Sequence, residues 1–171
     1  MTVTERTRKL SRLGLLLALA TAIHSLEALI PFSVGWFRFG FANIIGLATL
    51  YVFGFRDAFL LTAGRILLGG LISGQFGSPG FLLATAGGLS SIVTMECARR
   101  LSGECLSELG VSVIGALTHN LAQLLVAYVM LVKNDSILLL APVMILSAIG
   151  AGVVNGIAAK FLITRMRSSR F

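Results

Sequence analysis

Ten polar or ionisable side chains interrupt otherwise apolar stretches of this sequence: His24, Glu27, Asn43, Arg65, Glu96, Thr118, His119, Asn120, Gln123 and Asn155. Their chemistry is that of recognition. Arginine keeps its charge in any environment and offers a planar fork that fits a carboxylate or phosphate. Asparagine and glutamine both donate and accept hydrogen bonds, and histidine beside glutamate can pass a proton. His24 and Glu27 are three residues apart, as are Asn120 and Gln123, while His119 and Gln123 are four apart. On a helix each pair shares a face. The catalytic vocabulary is sparse by comparison. GxxxxGK[ST], HExxH, CxxC and GxSxG patterns are all absent. The aspartates, Asp57 and Asp135, fall in separate turns, so no carboxylate cluster gathers for magnesium. Cys97 and Cys105 are eight apart, which is neither a metal-ligand spacing nor a disulfide framework. The expectation is a binding protein with no catalytic residues, no metal and no cofactor.

The elements that must position these groups follow from composition. Of 171 residues, 56% are hydrophobic and only 12% charged, with a mean hydropathy of +0.93. Soluble domains carry about a quarter charged residues, and disordered chains are poor in apolar ones. Both classes are excluded, and an integral membrane protein remains. A spanning helix takes about 20 apolar residues, so six spans use most of the length. That leaves no room for a soluble ATPase or catalytic domain.

Apolar runs and their breakers place the six spans at 13–30, 39–55, 58–73, 78–98, 111–132 and 137–163. Pro31 stops the first, Arg56-Asp57 turns the chain after the second, and Ser78-Pro79 is a strong helix start. Residues 1–12 and 164–171 are then basic tails flanking one membrane domain, 13–163. A β-barrel is disfavoured, because the runs are continuously apolar instead of alternating. With the N-terminus inside, the inner segments hold Arg6, Arg8, Lys9, Arg12, Arg56, Arg99, Arg100, Lys160, Arg165, Arg167 and Arg170. The outer loops hold Arg38 and Lys133, and Arg65 lies within a span. This bias puts both termini in the cytoplasm. It also accounts for most of the net charge of +7, so nucleic acid is not expected as a partner.

At 1.5 Å per residue, Glu27 and Asn43 lie roughly 6 Å below the outer helix ends, and Arg65 and Gln123 roughly 13 Å. The outer half of the bilayer would thus hold a polar pocket with Arg65 at its floor. A second reading stands beside it. Lone Asn, Gln and Thr residues join helices in membranes, and Glu27 with Arg65 can be a structural ion pair. Glu96 is expected at the interface near Arg99 and Arg100, and Asn155 in the inner half, both as structural residues. Small residues four apart (Ala18 and Ala22, Gly70 and Gly74, Gly152 and Gly156) mark faces where helices approach closely.

The motifs His24-Ser-Leu-Glu27 ahead of Pro31, Gly40-Phe-Ala-Asn43, Arg65-Ile-Leu-Leu-Gly69, Ser78-Pro79-Gly-Phe81 and His119-Asn120-Leu-Ala-Gln123 occur in that order. In this the chain resembles the Gx transporter family, often labelled heptaprenyl diphosphate synthase component I. Phe41 and Ala122 depart from its usual Leu and Gly. The family in turn is similar to the substrate-binding (S) components of energy-coupling factor transporters of the bacterial cytoplasmic membrane. The resemblance implies an all-α six-helix bundle that captures a small organic solute from outside. It also implies that Ala18 and Ala22 contact a transmembrane coupling subunit, which engages two cytoplasmic ATPases. The outer loop 31–38, with Trp36, would close over the solute. The substrate-binding set is then Arg65, Glu27, His24, Asn43, His119, Asn120, Gln123 and Trp36. Two alternatives stay open: a stand-alone proton-coupled carrier using His24 and Glu27, and a membrane accessory factor of prenyl diphosphate synthesis.

Overall fold

The computed structural model describes residues 3–29, 40–103 and 105–168. The described residues form helices and turns: α1 (Val3–Leu29), α2 (Asn43–Val52), α3 (Phe55–Ile72), α4 (Pro79–Ser102), α5 (Glu108–Val126) and α6 (Ala141–Ser168). A π-helical turn, Ala127–Val132, extends α5, and a 3-10 segment, Asp135–Leu140, leads into α6. Helix α1 starts at Val3 and α6 runs to Ser168, so the described parts of both basic tails are helical. Among the described residues, four helical stretches are long and apolar enough to cross a membrane: Val3–Glu27, Pro79–Ser102, Glu108–Val132 and Asp135–Ser168.

The other two helices differ from this pattern for identifiable reasons. Helix α3 has 18 residues, about 27 Å at the usual rise, but it carries Arg56, Asp57 and Arg65. Helix α2 has only ten residues, where the sequence suggested a span over 39–55. At about 15 Å it covers half of a hydrocarbon core.

That short helix is central. It packs against α1, α3, α4 and α6, while α3 joins α1 to α4 and α5 joins α4 to α6. Its Leu47 and Leu50 sit in a core cluster with Ala58, Ile92, Met95, Val111 and Ala159. Its Ile45 belongs to a second cluster with Leu16, Ala20 and Leu61. The next turn into α3 depends on Gly54, whose φ of 96° lies where side chains are strained. Outside this core the large apolar side chains point outward, including Leu15, Leu71, Leu125, Leu146, Ile157 and Phe161. So many large apolar side chains on the exterior suit lipid contact and do not suit water.

One end of the bundle gathers charge. Lys9 of α1 pairs with Asp57 of α3 at 2.5 Å. Glu96 near the end of α4 pairs with Arg99 at 2.8 Å and also with Arg100, and Arg99 lies 5.9 Å from the centre of the Tyr51 ring of α2. Glu96 is therefore an end-of-helix clamp, in line with its sequence context.

Helix ends are set by local chemistry. The Ser78 hydroxyl accepts from the Phe81 amide at 3.2 Å, with Pro79 in the first turn. The α5–α6 interface is set by small residues. A Cβ on Gly152 would lie 2.7 Å from Val113 Cα, and one on Gly156 would lie 2.8 Å from Leu109 Cα. Gly74 departs from the expected face: its φ is positive and a Cβ there meets nothing, so it serves a turn. Backbone cannot move aside cheaply. Gly156→Ala is expected to lower stability by about 1–3 kcal/mol, whereas Gly150→Ala, with open space at its Cβ, should change little. Thermal unfolding of the two variants in detergent micelles checks this; equal melting temperatures would contradict the close packing.

Candidate functional site

The site is built where α2 begins. Gly40, with φ of 76°, turns the chain so that Asn43 N donates to Gly40 O at 2.9 Å and Ile44 N to Phe41 O at 3.0 Å. Two neighbouring helices hold this turn by its backbone. Glu27 of α1 accepts from the Phe41 amide at 2.6 Å, and Asn155 of α6 donates to the Gly40 carbonyl at 3.2 Å. The start of α2 is thereby fixed inside the bundle, with its positive dipole end facing the same interior.

Arg65 of α3 is 2% exposed. A guanidinium cannot shed its charge, so it must be satisfied where it stands. Its Nη2 donates to Asn43 Oδ1 at 2.6 Å. That bond orients the Asn43 amide and turns Nδ2 toward Ser91 Oγ and His119 Nδ1, each 3.4 Å away. On the other side of the ring, His119 Nε2 lies 2.8 Å from the Gln123 amide nitrogen. A chain of polar contacts thus runs from α3 through α2 to α5. Every member is buried: Asn43, Ser91, His119 and Gln123.

Glycines make room for these side chains. A Cβ on Gly69 would lie 2.5 Å from the His24 ring, and one on Gly87 would lie 2.9 Å from the His119 ring. At Gly88 it would lie 2.8 Å from Ile66 Cδ1, next to Arg65. The two histidines are seated in glycine notches of α3 and α4.

His24, Glu27, Gly40, Arg65, Ala84, His119 and Gln123 surround one small cavity, with about 10 Å³ open to the centre of a water molecule. That is space for about one water. The lining combines one fixed cation, one carboxyl group, two imidazoles and one carboxamide. Such a set can bind an anionic or hydrogen-bonding group, or relay a proton through a bridging water.

Five expected site residues therefore meet: His24, Glu27, Arg65, His119 and Gln123. Asn43 stands directly behind Arg65. Asn120 goes elsewhere, donating to Met144 O at 2.8 Å and to Ser147 Oγ at 3.3 Å, and so it ties α5 to α6. Trp36 and the loop 31–38 lie outside the described residues. Ala18 and Ala22 face outward from α1, with Ala20 between them fully buried. Asn155, which the sequence places in the inner half as a structural residue, meets the Gly40 carbonyl beside the cavity. Ser91 and the glycines 40, 87 and 88 were not singled out as site residues. Their available signal was a hydroxyl pair and a glycine pair inside an apolar span.

The sequence matches the family described as Heptaprenyl diphosphate synthase component I over residues 16–162. The chain belongs to this family, and the matched stretch contains every residue of the cavity. No curated protein and no solved structure matches it.

The geometry ranks two asparagines. Asn43→Leu removes an acceptor of a buried guanidinium and should cost about 2–3 kcal/mol. Asn120→Leu removes an interhelical bond of ordinary membrane strength, roughly 0.6 kcal/mol. Denaturant titration in micelles measures both. An Asn43 variant no less stable than the Asn120 variant would contradict the role given to the Arg65–Asn43 bond.

Proposed function

We propose that the chain is the substrate-binding subunit of an energy-coupling factor type transporter in the bacterial cytoplasmic membrane. It makes six passes, with α2 the short one, and both termini are cytoplasmic. The observation that carries the reading is the buried Arg65 guanidinium at a cavity shared with Glu27, His24, His119 and Gln123. A fixed cation, hydrogen-bonding amides and the dipole end of α2 together favour an anionic or strongly polar organic solute. Arg65 would hold its carboxylate or phosphate, and Gln123 and His119 its polar edge.

Sites for organic ligands typically span about 300–1,000 Å³, far more than this cavity offers. Capture then requires the start of α2 to move away from its two anchors, Glu27 and Asn155. Release of the Glu27–Phe41 and Asn155–Gly40 bonds would act as the gate. The chain performs no covalent chemistry in this reading. Energy comes from separate ATPase subunits joined through a coupling subunit, which docks on the outward Ala18 and Ala22 face of α1.

A second reading rests on the small size of the cavity. His24, Glu27 and His119 around a single water could relay protons for a carrier acting alone. A third, an accessory role beside a prenyl diphosphate synthase, takes its support from the family's description.

Affinity purification from native membranes separates the three. The proposal expects a transmembrane coupling subunit and two ATPases to co-purify, and to be lost from Ala18→Trp and Ala22→Trp variants that keep their melting temperature. A chain that purifies alone and transports an organic solute into proteoliposomes, driven by a pH gradient, would establish the carrier. Co-purification of a soluble prenyl synthase without ATPases would establish the accessory role.

A further inference from the structure

A second, larger hollow lies at the charged end of the bundle. It is a groove of about 250 Å³ lined by Arg12, Leu15, Leu16 and Leu19 of α1, Val52 and Phe53 at the end of α2, and Leu162 and Met166 of α6. Helices α1 and α6 are held apart here by the end of α2, which packs against both. Leu16 at its floor belongs to the buried core, with Phe53, Leu162 and Met166 packed against it. Leu15 and Leu19 are exposed on its rim.

We infer that this groove binds one anionic phospholipid. The groove opens between two helices that are each long and apolar enough to cross a membrane, so its mouth faces lipid. Seven of its eight lining residues are apolar, and the eighth is a cation at one end. That arrangement is amphipathic in the same sense as a phospholipid. From Arg12 to Leu19 the helix rises about 10 Å, a length that takes part of one acyl chain.

The headgroup phosphate sits at the Arg12 guanidinium, which has five donors and can add a phosphate to its existing contacts. One acyl chain lies along Leu15, Leu16 and Leu19 against Phe53 and Leu162. Charge complementarity selects the lipid class. Arg165 and Arg167 lie in the last turn of α6 at this end, and their field draws anionic headgroups. Bound there, the lipid would join α1 to α6 where the two make little direct contact. The inference needs only a membrane location; Leu15 and Leu19 share the outward face of α1 with Ala18 and Ala22, so the lipid occupies the groove while no coupling subunit is docked there.

Native mass spectrometry of the full chain tests it, using mixed micelles of phosphatidylglycerol and phosphatidylcholine. The wild type is expected to retain one phosphatidylglycerol in preference to phosphatidylcholine. Arg12→Ala should lower that retention roughly tenfold, the loss typical of a hydrogen bond to a charged group. Leu19→Trp, which fills the groove from its exposed rim, should lower it as well. Arg8→Ala removes the same charge one turn earlier, outside the lining, and should leave retention unchanged.

Equal retention of both lipids would overturn the inference, as would an Arg8 variant behaving like the Arg12 variant. Retention unaffected by Leu19→Trp would place the lipid on the surface and overturn the groove. A dimer that dissociates on Leu19→Trp would give the groove to a second copy of the chain. Melting temperatures of all three variants, measured in lipid-free micelles, show whether each has folded.

Discussion

A charge that cannot be neutralised is buried inside an apolar bundle, and the architecture is arranged around it. Arg65 is 2% exposed, yet it must remain a cation. An unpartnered guanidinium in hydrocarbon would cost several kcal/mol. Asn43 answers this need, but only because α2 begins within the bundle and not at its end. That beginning in turn depends on the Gly40 turn and on Glu27 and Asn155 gripping its backbone. All six helices thus contribute to one polar interior, α4 through Ser91 and the Gly87 notch.

This dependence explains why the polar residues form a connected set. If each were only a bond between two helices, their partners would be scattered, as those of Asn120 are on α6. Asn43, His119 and Gln123 instead link to one another and to the arginine. Burying such a network confers little net stability, since desolvation offsets most of the gain. A residue set that costs much and stabilises little is the pattern of a binding site. The same logic sets Glu96 apart, because its two arginine partners lie at the exposed end of its own helix.

Much of this was legible in the sequence because membrane solvent imposes simple rules. Continuous apolar runs marked the helices, Ser78-Pro79 marked the start of α4, and Gly152 and Gly156 marked the α5–α6 contact. The site residues were legible as polar interruptions. Where reading failed, the missing information was conformation or partner. Residues 40–42 are nearly as apolar as the helix that follows, so little in their pattern distinguishes a turn from a first helical turn. Position along α6 gives no sign that the partner of Asn155 is the Gly40 carbonyl at the start of α2. Gly74 repeated the spacing of a packing face while serving a turn, since spacing carries no information on φ. The outward face of Ala18 and Ala22 was legible only as small residues; its direction needed the packed bundle.

The central claim is that the Arg65 cavity holds an anionic solute, and the direct test is the content of the protein itself. Purified wild-type protein and an Arg65→Ala variant are denatured, and the small molecules released are identified and quantified by mass spectrometry. The account predicts one organic anion released by the wild type near one per chain, and none by the variant. Release of the same compound in the same amount from both, or no organic anion from the wild type purified without extensive dialysis, would contradict it.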